Sequence, residues 1–211
     1  MDGIQNLHLF LVSCILLNLT PGQDTMYIVG RSMAQGRKAG IWSAFGVMSG
    51  VLVHTLLAAL GLSAILATSA LAFNIIKTIG AAYLIWIGIG FIRNGGHQTS
   101  GETMAKEDIH PFRVYCQGVM TNLLNPKVAL FFLSFLPQFA DPGAESVFGA
   151  LMLLGLIFFT TGSIWCLVLA TGSSWLTERF RSSASLGGLL KRLAGILLVG
   201  LGIRLAFAGI E

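Results

Sequence analysis

Long apolar runs recur six times along this chain, near 7–30, 41–67, 70–92, 114–137, 147–171 and 189–209. That recurrence leaves few folds open. At about 1.5 Å per residue each run is long enough to cross a hydrocarbon core of about 30 Å. Charged residues make up only 10% of the chain, against about 25% in a soluble domain. The sequence therefore reads as an all-α integral membrane protein, a single domain over 1–211. The lipid bilayer is its implied partner. The net charge of +4 is no sign of nucleic-acid binding, because the basic residues lie between apolar runs rather than on one face. The first residues carry Asp2 and no Lys or Arg, and no small-x-small pattern follows. The first run is thus expected to stay rather than be cleaved as a signal.

Lys and Arg set the orientation. Arg31, Arg37 and Lys38 follow the first run. Arg93, Lys106 and Arg113 lie between the third and fourth, and Arg179, Arg181, Lys191 and Arg192 between the fifth and sixth. If the runs alternate, all ten share one side, and the other side holds only Asp2, Asp141, Glu145 and Glu211. Both termini are expected outside, with the basic loops in the cytoplasm. The polar stretch over 93–113 divides the chain into a first repeat, about 1–92, and a second, about 114–211. Three spans in each make six transmembrane helices, arranged as two inverted three-helix repeats. Ile75-Ile76-Lys77 opens the third run as Leu189-Leu190-Lys191 opens the sixth. At the same offset Leu84, Gly88 and Ile89 match Leu198, Gly202 and Ile203.

The first run of each repeat is interrupted by proline. Asn18-Leu19-Thr20-Pro21-Gly22-Gln23-Asp24 sits inside the first. Pro21 removes a backbone donor, Gly22 adds freedom, and Asp24 is a carboxylate where charge is costly. Broken helices at membrane depth are tolerated only where they are buried in protein or line a cavity. The counterpart is Asn125-Pro126-Lys127. Lys127 lies about halfway along its run, too deep to snorkel to either boundary. Gln117, Thr121 and Asn125 fall at i, i+4 and i+8, one face of a helix, and Asn122 flanks them. Such a stripe reads as the wall of a hydrophilic path or, more simply, as a hydrogen-bonded seam between helices.

Each singled-out residue also has a plainer reading. Asp24 could cap a half-helix beginning after Gly22; a desolvated carboxylate can also exchange a proton. His54, mid-run, is either a proton relay or a satisfied core histidine. Lys77 and Arg204 lie near the ends of their runs and read as snorkelling anchors. Trp42, Trp86, Trp165 and Trp175 include interfacial candidates. Gly46 and Gly50 form a GxxxG pair that serves either packing within one subunit or a homodimer. Cys14, Cys116 and Cys166 are isolated in apolar sequence, with no metal-ligand or disulfide spacing. No Walker A, HExxH or GxSxG run occurs, so no enzyme chemistry and no cofactor are indicated, and any pumping must draw on an ion gradient.

The stretch from Asn18 to Asp24, Gly36-Arg37-Lys38-Ala39-Gly40 leading into Gly46, Asn125-Pro126-Lys127 with Phe131-Phe132, and Phe135-Leu136-Pro137-Gln138-Phe139 together resemble the LysE/RhtB family of bacterial amino-acid exporters. The likeness is nearer to the homoserine/threonine type. It departs at Gln23, where the family usually has the second proline of a Pro-Gly-Pro run. The resemblance implies a multi-pass protein of the bacterial inner membrane that exports small amino acids by proton antiport. On that reading Lys127 and the donors around Asn125 would face the substrate carboxylate, and Asn18, Thr20 and Asp24 the ammonium. Pro21, Gly22, Thr121, Asn122 and Pro126 would complete the binding site, with Asp24 and His54 handling protons. Asp24 lies about 9 Å and Lys127 about 20 Å from the inner boundary, a gap that a small zwitterion can bridge. A direct Asp24–Lys127 ion pair holding the bundle together is the simpler alternative. A channel or metal-ion exporter, and a membrane enzyme or non-transporting subunit, are the competing classes. The metal reading has only Asp24 and His54 to offer within the runs.

Overall fold

The computed structural model describes residues 3–68, 70–93 and 110–182, with isolated positions between 192 and 206. The described residues are helical apart from short turns and a single bridge between Ile4 and Ala140. The helices are α1 (Leu7–Leu19), α2 (Gln23–Gln35), α3 (Arg37–Thr68), α4 (Ala70–Arg93), α5 (Pro111–Leu123), α6 (Pro126–Leu130) and α7 (Val147–Ser182). From α6 the chain continues through a π-helical turn, Phe131–Phe135, and a 3-10 turn, Leu136–Phe139.

Among the described residues, α3 over Arg37–Ala64 and α7 over Val147–Gly172 are long and apolar enough to cross a membrane. The pair Pro111–Leu123 and Pro126–Phe139, bent by 48°, makes a third if it counts as one span. The first interrupted run departs from its expected form as one broken span. It is two helices of 13 residues each. α1 is apolar but short, and α2 carries Asp24, Arg31 and Gln35 in place of a lipid-facing sequence. The α4 helix has 24 residues. The sixth run lies mostly outside the described residues, as do most of the loop over 93–113 and the side chains of Lys77, Trp175 and Arg204. On α3, Leu52, Val53, Leu56, Leu57 and Leu60 are exposed, and on α7 Ile164, Leu167 and Val168. Apolar faces of that kind suit lipid contact.

The second break sits on an aromatic core. Phe10, Phe131, Phe132, Phe135, Phe139 and Phe158 are buried together, with Phe131 centred 4.5 Å from Phe158 and 4.7 Å from Phe135. The Phe-rich motif that follows Lys127 is thus the packing surface of the broken helix. The N-terminal residues stitch to its far end: Gln5 N donates to Phe139 O (2.8 Å) and Asp141 N to Gly3 O (2.9 Å).

Small residues bring α3 and α5 together. A Cβ on Gly46 would collide with Tyr115 O, and one on Gly118 would lie 2.8 Å from Ser43 O. A Cβ on Gly50 would meet the Asn122 side chain at 2.6 Å. Both members of the GxxxG pair are therefore used for packing within the subunit, as small residues in membranes commonly are. Trp42 and Trp86 are exposed on the bundle surface, whereas Trp165 is half-buried.

Candidate functional site

The two breaks meet. Helix α1 ends at Leu19 because Pro21 cannot continue it, and α2 begins after Gly22 in extended backbone. Asp24 is not the cap of α2: that position is Gly22, and Asp24 lies in the first turn. In the partner break, α5 ends at Leu123, and Asn125 caps α6 by accepting from Lys127 N at 3.0 Å. Pro126 then occupies the first helical turn, where its missing N–H costs nothing.

Asp24 and Lys127 face helix ends that suit their charge. The carboxylate sits at the positive N-terminal end of α2. The Lys127 ammonium reaches the negative C-terminal end of α1 and donates to Leu17 O and Thr20 O, each at 2.9 Å. These carbonyls lack part of their intrahelical bonding because the helix stops there, so the lysine satisfies groups that the break exposes. Asp24 Oδ2 accepts from Asn122 Nδ2 (2.9 Å) and Asn125 Nδ2 (3.1 Å). Asn122 O in turn lies 3.2 Å from His54 Nε2, and the His54 ring stacks on Phe132 at 5.8 Å. His54 is thus joined to Asp24 through one asparagine.

A cavity of about 60 Å³ opens where these elements cross. Seven of the expected site residues line it: Asn18, Thr20, Gly22, Asp24, Asn122, Asn125 and Lys127. Pro21, Thr121, Pro126 and His54 do not. The Thr121 hydroxyl donates to Gln117 O in its own helix (2.7 Å). The expected polar face over Gln117, Thr121 and Asn125 is cut, because α5 stops two residues before Asn125. Gln117 instead accepts from Arg31, which also donates to Gln35 (2.8 Å) and lies over the Tyr27 ring at 5.7 Å. Asn18 bonds Thr161 on α7 at 3.2 Å.

The fourth wall of the cavity is α7, which contributes Phe158, Phe159, Gly162, Ser163, Trp165 and Cys166. Of these, the sequence analysis singles out only Trp165, as an interfacial candidate, and Cys166, as an isolated cysteine, and neither as a site residue. The available signal was the polar run Thr160-Thr161-Gly162-Ser163 in the middle of an apolar span. Among the described residues no group of three or more His, Cys, Asp or Glu comes together that could hold a metal ion.

No solved structure matches the chain. A leucine efflux protein of Klebsiella pneumoniae is 30% identical over 97% of this chain and 96% of its own. A membrane protein of Pseudomonas aeruginosa is 30% identical over 98% of this chain and 97% of its own, and one of Bacillus subtilis 29% over 90% and 92%. The family profile described as LysE type translocator matches residues 15–209. With its paired proline breaks inside that match, the chain belongs to the LysE-type translocator family.

Proposed function

We propose that this chain exports small neutral amino acids from the cytoplasm across the bacterial inner membrane in exchange for protons. The observation that carries the reading is the cavity at the crossing of the two broken helices, with the half-buried Asp24 carboxylate in its wall. Buried charge inside a membrane domain makes transport the default role, and the leucine efflux name of several relatives supports an amino acid as cargo. The resemblance to homoserine/threonine-type members points to those side chains, but the lining, with Leu17, Val47, Val51, Val128 and Phe158, supports an aliphatic one. Asp24 is the proton-exchanging group in this scheme, and His54 supports it through Asn122. The metal-exporter alternative lacks a donor cluster among the described residues.

Cells loaded with isotope-labelled leucine should lose label faster when they carry this protein, and a proton uncoupler should abolish the difference. Equal loss from cells without the protein would end the export reading. Loss insensitive to the uncoupler would remove the antiport part and leave a channel.

Six alternating spans complete the proposal, with both termini outside. Support comes from the ten-to-none division of Lys and Arg between the two sides and from the breaks recurring at Pro21 and Pro126. Reporter fusions at Gln98 and Glu211 should report opposite sides of the membrane, cytoplasmic and outer respectively. The same side for both would refute the alternation.

A further inference from the structure

Among the described residues, four buried polar atoms of cavity-lining residues have no hydrogen-bond partner: Asp24 Oδ1, Asn122 Oδ1, Ser163 Oγ and Trp165 Nε1. Buried polar groups are ordinarily satisfied, so each such orphan asks for an explanation. Their chemistry is not random. Asp24 presents an acceptor from α2, whereas the Asn122 oxygen lies against Gly50 of α3. The Trp165 indole can only donate, and the Ser163 hydroxyl donates or accepts; both come from α7. An α-amino acid has an ammonium with three donors and a carboxylate with acceptors only. Lys127, the cation expected to meet that carboxylate, already gives two of its three donors to main-chain carbonyls, and the Asn125 amide gives one N–H to Asp24 and its oxygen to capping α6.

Resting on the export reading, we infer that Trp165 Nε1 and Ser163 Oγ bind the substrate carboxylate, while Asp24 Oδ1 receives its ammonium. Helix α7 is then the wall that recognises the acid end, and Lys127 holds the α1 break together. At about 10–15 Å³ per water-sized position, a cavity of about 60 Å³ has room for the five heavy atoms of the amino-acid head group. The aliphatic residues beside it receive the side chain. Gly50 keeps Asn122 in place, since any side chain there would strike its amide.

The test is isothermal titration of the whole protein in lipid nanodiscs with two probes. These are leucine and 3-methylbutylamine, which is leucine without its carboxylate. Trp165→Phe removes the N–H and keeps most of the ring; Ser163→Ala removes the hydroxyl. Each should weaken leucine roughly ten- to a hundredfold, the cost of a hydrogen bond to a charged group, and leave the amine within about twofold. A loss shared equally by both probes at an unchanged melting temperature, or no loss for leucine, overturns the assignment while leaving export intact. If Trp165→Phe fails to fold, Ser163→Ala carries the same comparison. Wild-type protein that binds neither probe and moves no leucine overturns the export reading itself, and the assignment with it.

Discussion

Replacing Asp24 with asparagine is expected to abolish pH-gradient-driven leucine accumulation in inverted vesicles while the protein still inserts. In the native site, two asparagine amides donate to Oδ2 and leave Oδ1 turned to no partner. Asparagine can keep only half of this. With its oxygen toward Asn122 and Asn125, its NH2 group faces the substrate ammonium; the flipped amide sets NH2 against NH2. Neither orientation can take up or release a proton. Removing one partner from a buried charge pair costs about 3–5 kcal/mol, a loss of more than about a hundredfold in binding. Proton coupling, which needs the carboxyl group itself, should vanish. Transport by the Asp24→Asn variant with an undiminished response to the pH gradient would discard Asp24 as the exchanging group.

Lys127→Met should act differently, through stability first. The variant keeps an unbranched apolar side chain out to Cε and deletes the ammonium that bonds Leu17 O and Thr20 O. Two carbonyls at a buried helix end then lose their partner, for roughly 2–4 kcal/mol in total. Thermal unfolding in detergent should show a clear drop in melting temperature. Because the ammonium is engaged with the main chain, Lys127→Gln should weaken leucine and its methyl ester alike. The charge-swapped double variant, Asp24→Lys with Lys127→Asp, should rescue neither stability nor transport, since an aspartate at 127 cannot donate to those carbonyls. An unchanged melting temperature together with selective loss of the free acid would return Lys127 to the carboxylate.

The parts legible in the sequence were those where local chemistry overrules lipid. Pro21 and Pro126 cannot sit mid-helix without consequence, and Asp24 and Lys127 cannot sit in hydrocarbon without a partner. Those four positions mark where the helices stop and which charges sit beside the stops. Gln23 in place of the family proline changes little for a comparable reason. It is the first residue of α2 and exposed, and at the first position of a helix a proline's missing N–H has no intrahelical partner to lose. What could not be read was which groups would already be occupied. The bonds of Lys127 to Leu17 and Thr20 cross 107 residues or more of sequence, so nothing local announces them. Ser163 reads as an ordinary residue of an apolar span and Trp165 as an interfacial candidate, because periodicity says nothing about whether a buried N–H or O–H meets a partner.

The crossing of α3 and α5 carries a mechanical consequence. At Gly46 and Gly118 main chain lies against main chain. An interface built from side chains can slide by exchanging rotamers, but one built from backbone has no such slack. If the proposed export proceeds by rocking between inward- and outward-open shapes, these two helices should travel together and the change must be absorbed elsewhere. The short segments on either side of Pro21 and Pro126 would then be the hinges, and on the proposed export the places where the helices are cut would both hold the cargo and let it pass.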